Sequence, residues 1–315
     1  MRAPLHSGQV GALSGSPMKL QHLRDIVAIA QNGSIRNAAR RLGTVQPTLT
    51  RSLSELEREL GAPLFERHAK GMAPTFLGEA FVKRATAILN DVRKAAEEIE
   101  QLKGNPVGLV TVGLSIASHL RLLPKALGPF RKRFRNVHLR IVEGFYPTLE
   151  AQLKSGVVDF YIGPDPGVAL PSVLQKETLL FTTRSFLCRV GHPLAGSTSL
   201  KQLVGASWIT TSITAKAENE LGGLFERHGL PSPHLAVQVQ SALTLLTCLA
   251  NSDLLAMAPT HWMDSPFASR VIGKIQISEE LLPASLIVVK RADSPLSPAA
   301  EYMLDLMRRI AGEAS

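Results

Sequence analysis

Residues 34–51, SIRNAARRLGTVQPTLTR, form the stretch around which the rest of the chain is organised. Apolar residues recur at helical spacing over Ile35–Leu42, and Gly43 suits the left-handed conformation that ends a helix. Thr44 is placed to cap a second helix, which has Pro47 in its first turn, where a missing N–H costs little. The stretch therefore predicts two short helices joined by a tight turn.

The second helix has one apolar side and one polar side. Its apolar side, expected to face the core, carries Leu49, Leu53, Leu56 and Leu60. Its polar side carries Gln46, Thr48, Thr50, Arg51 and Ser54. A rigid helix with this donor-rich surface fits the major groove of DNA, which is about 12 Å wide. The pattern favours a DNA-binding helix-turn-helix, although an amphipathic helix pair in an ordinary globular core also satisfies it.

An apolar pair and a small basic loop follow the second helix. Leu64 and Phe65 are expected to fill the core, and Arg67, His68 and Lys70 come next. Basic residues at this position suit a wing that lies against the phosphate backbone of DNA. The loop therefore strengthens the DNA-binding interpretation of the helix pair.

Two further segments complete the N-terminal part of the chain. Residues 19–31 predict a first helix, which Asn32 and Gly33 end. Residues 1–17 are rich in Gly, Ser and Ala and lack an apolar stretch long enough for a secretory signal, so we expect a disordered leader. A compact winged helix-turn-helix domain is predicted over residues 18–74.

One set of motif residues runs through this region. They are Gly33, Ser34, Ala38, Ala39, Leu42, Gln46, Pro47, Thr50, Arg51, Leu56, Glu57, Leu60, Gly61, Leu64, Phe65, Glu66, Arg67, Thr75 and Gly78. The set resembles the LysR-type transcriptional regulator family, and the resemblance extends over essentially everything from Met18 onward. One departure is Val45, where that family usually has serine.

The DNA contacts are expected to divide into two kinds. Gln46, Thr48, Thr50 and Arg51 would read bases, while Arg36, Arg67 and Lys70 would bind phosphate groups. The full set of expected DNA-binding residues is Ser34, Arg36, Gln46, Pro47, Thr48, Thr50, Arg51, Ser54, Arg67 and Lys70.

The composition is that of a globular protein with a basic balance. The 315 residues are 45% hydrophobic and 19% charged, and the formal net charge is +9, which favours a polyanionic partner. No apolar run reaches the ~18 residues that a membrane span needs. Cys188 and Cys248 stand far apart with no histidine at ligand spacing, which suggests neither a disulfide framework nor a zinc site and suits a reducing cytoplasm.

Residues 75–104 predict one long linker helix that mediates dimerisation. Its apolar residues follow one another at spacings of four and three, the a/d seam of a coiled coil. The seam residues are Phe81, Ala85, Ile88, Val92, Ala95, Ile99 and Leu102. The alternative is a core helix of one domain, but a helix of this length runs past a small domain. A paired helix would present two DNA-reading units to two half-sites of an operator.

The pattern changes after Gly104-Asn105-Pro106 to short β-rich runs that alternate with helices. Strands are predicted at residues 109–113, 139–143, 159–163, 186–190, 208–211, 235–239, 254–258 and 286–289. This alternation indicates α/β units on mostly parallel sheets. The predicted fold class is α+β multi-domain, with the winged helix-turn-helix and linker helix preceding an α/β domain.

The resemblance implies that this α/β domain has two lobes, as in a periplasmic binding protein. Lobe 1 would comprise residues 106–178 and 284–315, and lobe 2 residues 179–283, with crossings near 179–181 and 282–285. In open α/β sheets, ligands bind at the carboxyl ends of strands, and here two such ends would face each other across a cleft.

Hydroxyl residues follow a predicted strand in each lobe, and each group begins a helix. Hydroxyls and free N–H groups at such a position suit an anionic effector such as a carboxylate, and neighbouring aromatic residues would add a wall. The expected effector-binding residues are Ser115, Ser118, Phe145, Tyr146, Thr210, Thr211, Ser212 and His261. The alternative is that the Ser and Thr residues are simply helix caps, which is their commonest role.

The sequence carries no nucleophile elbow, phosphate-binding loop, His-Glu-x-x-His motif or dinucleotide fingerprint. We therefore predict a transcription factor without enzymatic activity, cofactor or metal. A solute-binding protein is one alternative, but it would need an export signal and has no use for residues 18–74. An enzyme is the other alternative, and it would show turnover.

The predicted partners follow from this function. They are double-stranded operator DNA, a small-molecule effector, further copies of the chain as a homodimer or homotetramer, and RNA polymerase as a candidate, with no membrane partner. The resemblance implies a tetramer of two dimers in a bacterial cytoplasm. The effector would shift the population of lobe arrangements and so change how the dimers hold the DNA.

Overall fold

The computed structural model describes residues 18–69, 71–211, 216–264 and 268–313. The predicted disordered leader 1–17 and two predicted site residues, Lys70 and Ser212, lie outside the described residues. The chain divides into two compact units, one up to Arg93 and one from Lys94 onward.

The N-terminal unit is a helix-turn-helix with a wing, as predicted. Its helices are α1 (Leu20–Asn32), α2 (Ile35–Leu42), α3 (Gln46–Leu60) and the start of α4 (Phe76–Leu102), and its antiparallel wing consists of β1 (Phe65–His68) and β2 (Gly71–Pro74). Ile26 and Ile29 of α1 are fully buried. The small Ala38 of α2 is also fully buried, so little side-chain volume separates the crossing helices.

The turn between α2 and α3 follows the prediction with two corrections. Gly43 has φ 65°, and its N–H donates to the Arg40 carbonyl oxygen at 3.3 Å. Thr44 does not cap α3, because Val45 occupies the cap position and makes no side-chain hydrogen bond there. Leu42 is exposed and does not face the core.

Two interactions fix the wing to the helices. The Glu57 carboxylate accepts hydrogen bonds from the backbone N–H groups of Leu64 and Phe65, at 2.6 and 3.2 Å. The Thr75 hydroxyl donates to the Pro63 carbonyl oxygen at 2.9 Å. A Cβ on Gly78 would lie 1.9 Å from the carbonyl oxygen of Leu64, so only glycine allows α4 to approach this closely.

The predicted dimerisation seam on α4 divides into two parts. Phe81 and Ala85 pack against Leu23 and Val27 of α1 in the same subunit, so these two belong to an intramolecular core and not to the predicted seam. The remaining seam residues, Ile88, Val92, Ala95, Ile99 and Leu102, are exposed in the single chain. Apolar side chains repeated on one exposed helix face are typical of a helix that pairs with another.

The C-terminal unit contains two five-stranded sheets. The first has the order β4-β3-β5-β12-β6. Its strands are β3 (Val107–Leu114), β4 (Asn136–Glu143), β5 (Phe160–Pro164), β6 (Leu174–Thr182) and β12 (Ala284–Arg291), and the helices α5 (Ile116–Arg121), α6 (Leu123–Arg133), α7 (Tyr146–Lys154) and α10 (Pro298–Gly312) accompany it. We call this sheet with its helices lobe 1.

The second sheet has the order β11-β7-β10-β8-β9. Its strands are β7 (Arg184–Arg189), β8 (Ser207–Thr210), β9 (His234–Gln238), β10 (Leu254–Pro259) and β11 (Ile272–Ile275), and the helices α8 (Lys216–Arg227) and α9 (Ala242–Ala250) and the 3-10 helices Leu200–Leu203 and Thr260–Asp264 accompany it. We call this sheet with its helices lobe 2. The two-lobed α/β architecture is the one expected.

The sheets are mixed, so the prediction of mostly parallel sheets is wrong. In lobe 1, β3 pairs in parallel with β4 and β5, whereas β12 pairs antiparallel with β5 and β6. In lobe 2, β8 pairs in parallel with β9 and β10, whereas β7 pairs antiparallel with β10 and β11. In each sheet the strand that runs against its described neighbours is the first strand after a crossing, β7 in lobe 2 and β12 in lobe 1.

The first crossing lies later than predicted. The expected first crossing at residues 179–181 falls inside β6, where Phe181 pairs with Ser285 of β12. The chain leaves lobe 1 after Thr182 and enters lobe 2 at Arg184. In the part of the chain that the structure describes, no helix has the length and apolarity to cross a bilayer.

Candidate DNA-binding face and effector cavity

The polar side of α3 is exposed to solvent. Gln46, Pro47, Thr48, Arg51 and Ser54 are exposed, and Thr50 is half-buried. The Thr50 hydroxyl donates to the Gln46 carbonyl oxygen at 3.1 Å. The apolar side of the same helix is anchored in the core by Leu49 and Leu56, so the polar side has one fixed orientation. This is the geometry that a helix needs to enter a major groove.

Arg51 has a carboxylate partner on the same face. Its side chain is 83% exposed, and its Nε lies 2.7 Å from a carboxylate oxygen of Glu55. The hydrogen bond from Arg51 lowers the pKa of Glu55, and the same bond raises the pKa of Arg51. The hydrogen bond gives the exposed guanidinium a partner four residues further along the same helix face.

Ser34 and Arg36 lie at the start of α2. The Ser34 hydroxyl accepts a hydrogen bond from the Asn37 backbone N–H at 3.1 Å, so this side chain caps the helix. Arg36 is exposed. On the wing, Arg67 of β1 is exposed as well. Both arginine side chains are thus accessible to phosphate groups.

A cavity of about 250 Å³ opens between the two lobes of the C-terminal unit. Four predicted effector-binding residues line it, namely Phe145, Tyr146, Thr210 and Thr211. Other lining residues that carry polar groups are Tyr161, Asp165, Arg184, Glu220 and Ser285. The aromatic residues come from lobe 1 and the two threonines from lobe 2, so both lobes contribute to the surface.

The predicted serine pair does not line this cavity. Ser115 and Ser118 are buried. The Ser118 hydroxyl donates to the Ile162 carbonyl oxygen at 2.9 Å, and the Ser115 hydroxyl accepts the Ser118 N–H at 3.4 Å. Ile116, between them, packs into the apolar cluster of lobe 2, which closes the N-terminus of α5. In this structure the two serines are a helix cap and its partner.

His261 does not line the cavity either. It is buried in the 3-10 helix of lobe 2, where its Nε2 lies 3.0 Å from the Ala117 carbonyl oxygen. Its Nδ1 lies 3.1 Å from the Thr182 hydroxyl oxygen. Because a carbonyl only accepts, Nε2 carries a proton. His261 therefore joins lobe 2 to two points of lobe 1 and has a structural position instead of the predicted ligand contact.

Two family models match the chain. A model described as bacterial regulatory helix-turn-helix protein, lysR family, matches residues 20–79, and one described as LysR substrate binding domain matches residues 103–311. The chain belongs to the LysR family. The resemblance noted in the sequence is thereby confirmed, and so is the combination of a winged helix-turn-helix with an effector domain.

Two known regulators and one solved structure are similar to this chain over most of its length. The LysR-family chain is 27% identical to the HTH-type transcriptional regulator GbpR of Azospirillum brasilense over 296 residues, 92% of this chain and 86% of that protein. It is 26% identical to GalR of Pseudomonas putida over 308 residues, 96% of this chain and 78% of that protein. Full-length CbnR complexed with its target DNA matches with a TM-score of 0.68 at 19% identity, covering 93% and 100% of the two chains.

Family membership decides the class of function. A LysR-family protein is a transcriptional regulator that binds operator DNA, responds to a small-molecule effector and forms oligomers, and it is not an enzyme. The C-terminal family match is to a substrate-binding domain, and the cavity between the two lobes lies within the matched residues.

Sequence reasoning missed the charged residues of the cavity. Arg184 forms an ion pair with Glu220 of α8, with 2.8 Å between the nitrogen and the carboxylate oxygen. Asp165 forms another with Lys176, at 2.9 Å. Neither pair belongs to a motif, and the partners are distant along the chain. The position of Arg184 immediately after the first crossing was the signal that could have placed it near the cavity.

The cavity also has a buried hydroxyl that sequence reasoning missed. The Tyr161 side chain is fully buried, and no described side chain makes a hydrogen bond with its hydroxyl. Burial raises the pKa of Tyr161 above its usual value, so the hydroxyl stays protonated at neutral pH. Tyr161 thus keeps its proton as a hydrogen-bond donor inside the LysR effector domain.

Proposed function

We propose that this LysR-family regulator reads its operator with the exposed side of α3. Gln46, Thr48, Thr50 and Arg51 make the base contacts, flanked by Pro47 and Ser54. The exposure of these side chains on a helix anchored by buried leucines supports this assignment. Arginine and glutamine donors discriminate base pairs in the major groove through paired hydrogen bonds.

Phosphate contacts flank the base-reading helix in this proposal. Arg36 at the start of α2 and Arg67 on the wing are exposed. Lys70, which follows the wing strand β1 in the sequence, completes the set. Such contacts fix the register of the protein on DNA without reading its sequence. They supply most of the salt-dependent affinity.

The effector binds in the cavity between the lobes. Phe145 and Tyr146 form its aromatic wall, and Thr210 and Thr211 provide hydroxyl groups at the end of β8. The effector is an anion. With the serine pair closed off, the arginine of the cavity, Arg184, supplies the positive charge that such a ligand needs.

Oligomerisation and response follow from the exposed seam. Ile88, Val92, Ala95, Ile99 and Leu102 of α4 pair with the same helix of a second copy, and two dimers form the tetramer. The effector favours one arrangement of the lobes, which changes how the dimers pair and how they bend the operator. This regulator acts in the bacterial cytoplasm, with RNA polymerase as its further partner.

The exposed polar side of α3 is the observation that carries this proposal. It is tested by incubating the purified full-length protein with sheared genomic DNA and sequencing the bound fragments. We expect enrichment of a short sequence with two-fold symmetry whose half-sites are separated by whole helical turns. A bound population with the same sequence composition as the input would refute the assignment.

A further inference from the structure

The ion pair between Arg184 and Glu220 borders two cavities. One is the effector cavity of about 250 Å³. The other is a second cavity of about 160 Å³, and Arg184, Glu220, Met257 and Pro283 line both. The side chain of Glu220 therefore has space on two sides.

Arg184 is a mostly buried cation that already has an anion beside it. Its side chain is 15% exposed, whereas that of Glu220 is 33% exposed. A cation in such surroundings needs a paired anion, because desolvation of an unpaired charge is costly. Glu220 satisfies this need, and of the two groups it is the one nearer to water.

The other acidic residue of the cavity is engaged elsewhere. Asp165 is paired with Lys176 at 2.9 Å, and its carboxylate also accepts the Gly167 backbone N–H at 2.9 Å. Among the described lining residues of the effector cavity, Arg184 is the cation, so an anionic ligand must place its charge there. The Glu220 carboxylate already pairs with that guanidinium at 2.8 Å, so an incoming carboxylate meets it there.

We propose that Glu220 is a built-in competitor for the effector. The carboxylate of the effector pairs with the Arg184 guanidinium and displaces the Glu220 side chain toward the second cavity. Arg227, which lies two turns further along α8, is a cation that lines that second cavity and can receive the displaced carboxylate. This inference rests on the anionic effector of the proposed function and adds the residue that sets its affinity.

The position of Arg184 couples this exchange to the lobes. Arg184 is the first residue of β7, immediately after the chain leaves lobe 1, and Pro283 precedes β12 at the return crossing. Both residues line the two cavities. Replacing the Glu220 carboxylate by a free one releases α8 from the first residue of β7, next to the point where the chain passes between the lobes.

The test compares glutamate substitutions on one helix. Full-length wild type and the Glu220→Gln, Glu220→Asp and Glu218→Gln variants are titrated with benzoate and with acetate, and the thermal midpoint of unfolding is followed. Glu218 is exposed on the same helix and lines neither cavity, so Glu218→Gln is the matched control. Benzamide serves as an uncharged analogue of benzoate.

We expect Glu220→Gln to reach half-saturation at about tenfold lower benzoate than wild type, which corresponds to a free-energy difference of about 1.4 kcal/mol. Glu220→Asp should lie between the two, Glu218→Gln should match wild type, and benzamide should not distinguish the variants. Adding Arg184→Met to Glu220→Gln should abolish the response. Equal half-saturation for Glu220→Gln and Glu218→Gln, a response that survives Arg184→Met, or the lack of any response to either carboxylate would overturn the inference.

The selection of genomic fragments on the same wild-type preparation separates this inference from the proposed function. In one outcome, the protein selects particular DNA sequences while Glu220→Gln and wild type reach half-saturation at the same benzoate concentration. This result would remove Glu220 as a competitor and leave the base-reading assignment intact. If the bound DNA has the same composition as the input but Glu220→Gln responds at lower benzoate than wild type, the base-reading assignment fails and Glu220 remains a competitor.

Discussion

The Nε2 atom of His261 lies 3.0 Å from the carbonyl oxygen of Ala117, so a side chain of lobe 2 is hydrogen-bonded to the backbone of lobe 1. The same imidazole meets the Thr182 hydroxyl at 3.1 Å, just before the chain crosses between the lobes. The two bonds hold the lobes together on the side of the crossing. They lie outside the cavity, so their effect on the effector response would be indirect.

Replacing His261 with Leu should destabilise the protein and loosen the lobes. The change leaves the Ala117 carbonyl and the Thr182 hydroxyl without their partner in a buried place, which costs on the order of 2 kcal/mol. Urea unfolding followed by circular dichroism measures the difference. His138 is exposed on β4, so His138→Leu should stay within about 0.5 kcal/mol of wild type. Equal unfolding midpoints for the two variants would show that the bridge contributes nothing.

Replacing Gly78 with Ala should destabilise the DNA-binding unit. The added Cβ would meet the Leu64 carbonyl oxygen at 1.9 Å, so the backbone of α4 or of the chain entering the wing must shift. We expect a loss on the order of 2 kcal/mol in the free energy of unfolding. Gly128 of α6 has open space around its Cβ position, and Gly128→Ala should therefore stabilise by up to about 1 kcal/mol. The prediction fails if both variants change stability in the same direction.

Replacing Ile88 with Lys should dissociate the oligomer. Ile88 is 45% exposed on α4, and a buried ammonium group in a paired seam would lack a partner. Light scattering on the full-length protein should give a lower mass. Lys83 is exposed on the opposite side of the same helix, so Lys83→Glu should leave the mass unchanged. An unchanged mass for Ile88→Lys would remove α4 as the dimerisation helix.

The sequence was sufficient to predict the elements whose signals are local. Gly43 marks the end of α2, and the alternation of Leu49, Leu53 and Leu56 with polar residues gives α3 its two sides, because both depend on neighbours within a turn or two. The strand β6 was missed, since its exposed edge replaces apolar residues with Gln175, Lys176 and other polar side chains.

The cavity was less accessible to sequence reasoning because it is built from distant residues. Phe145, Tyr146, Thr210 and Thr211 were predicted from their positions at strand ends, and they line the cavity. Ser115 had the same signal, but the packing of Ile116 into lobe 2 removed it from the surface. Nothing near Arg184 or Glu220 in the sequence indicates that the two side chains meet.

The assignment of Arg51 to base reading and of Arg67 to phosphate binding predicts two different losses. Arg51→Ala should weaken binding by about 1–3 kcal/mol and relax preference at one base pair, because one pair of donors is lost. Arg67→Ala should weaken binding to all sequences alike and reduce the slope of log affinity against log salt by about 1.

The most direct measurement of the central claim is therefore the affinity of wild type, Arg51→Ala and Arg67→Ala for every single-base variant of one selected half-site. The account predicts that Arg51→Ala loses discrimination at one position and keeps it elsewhere, while Arg67→Ala keeps the whole preference profile at lower affinity. An Arg51→Ala profile that is lowered equally at every position would contradict base reading by the exposed side of α3.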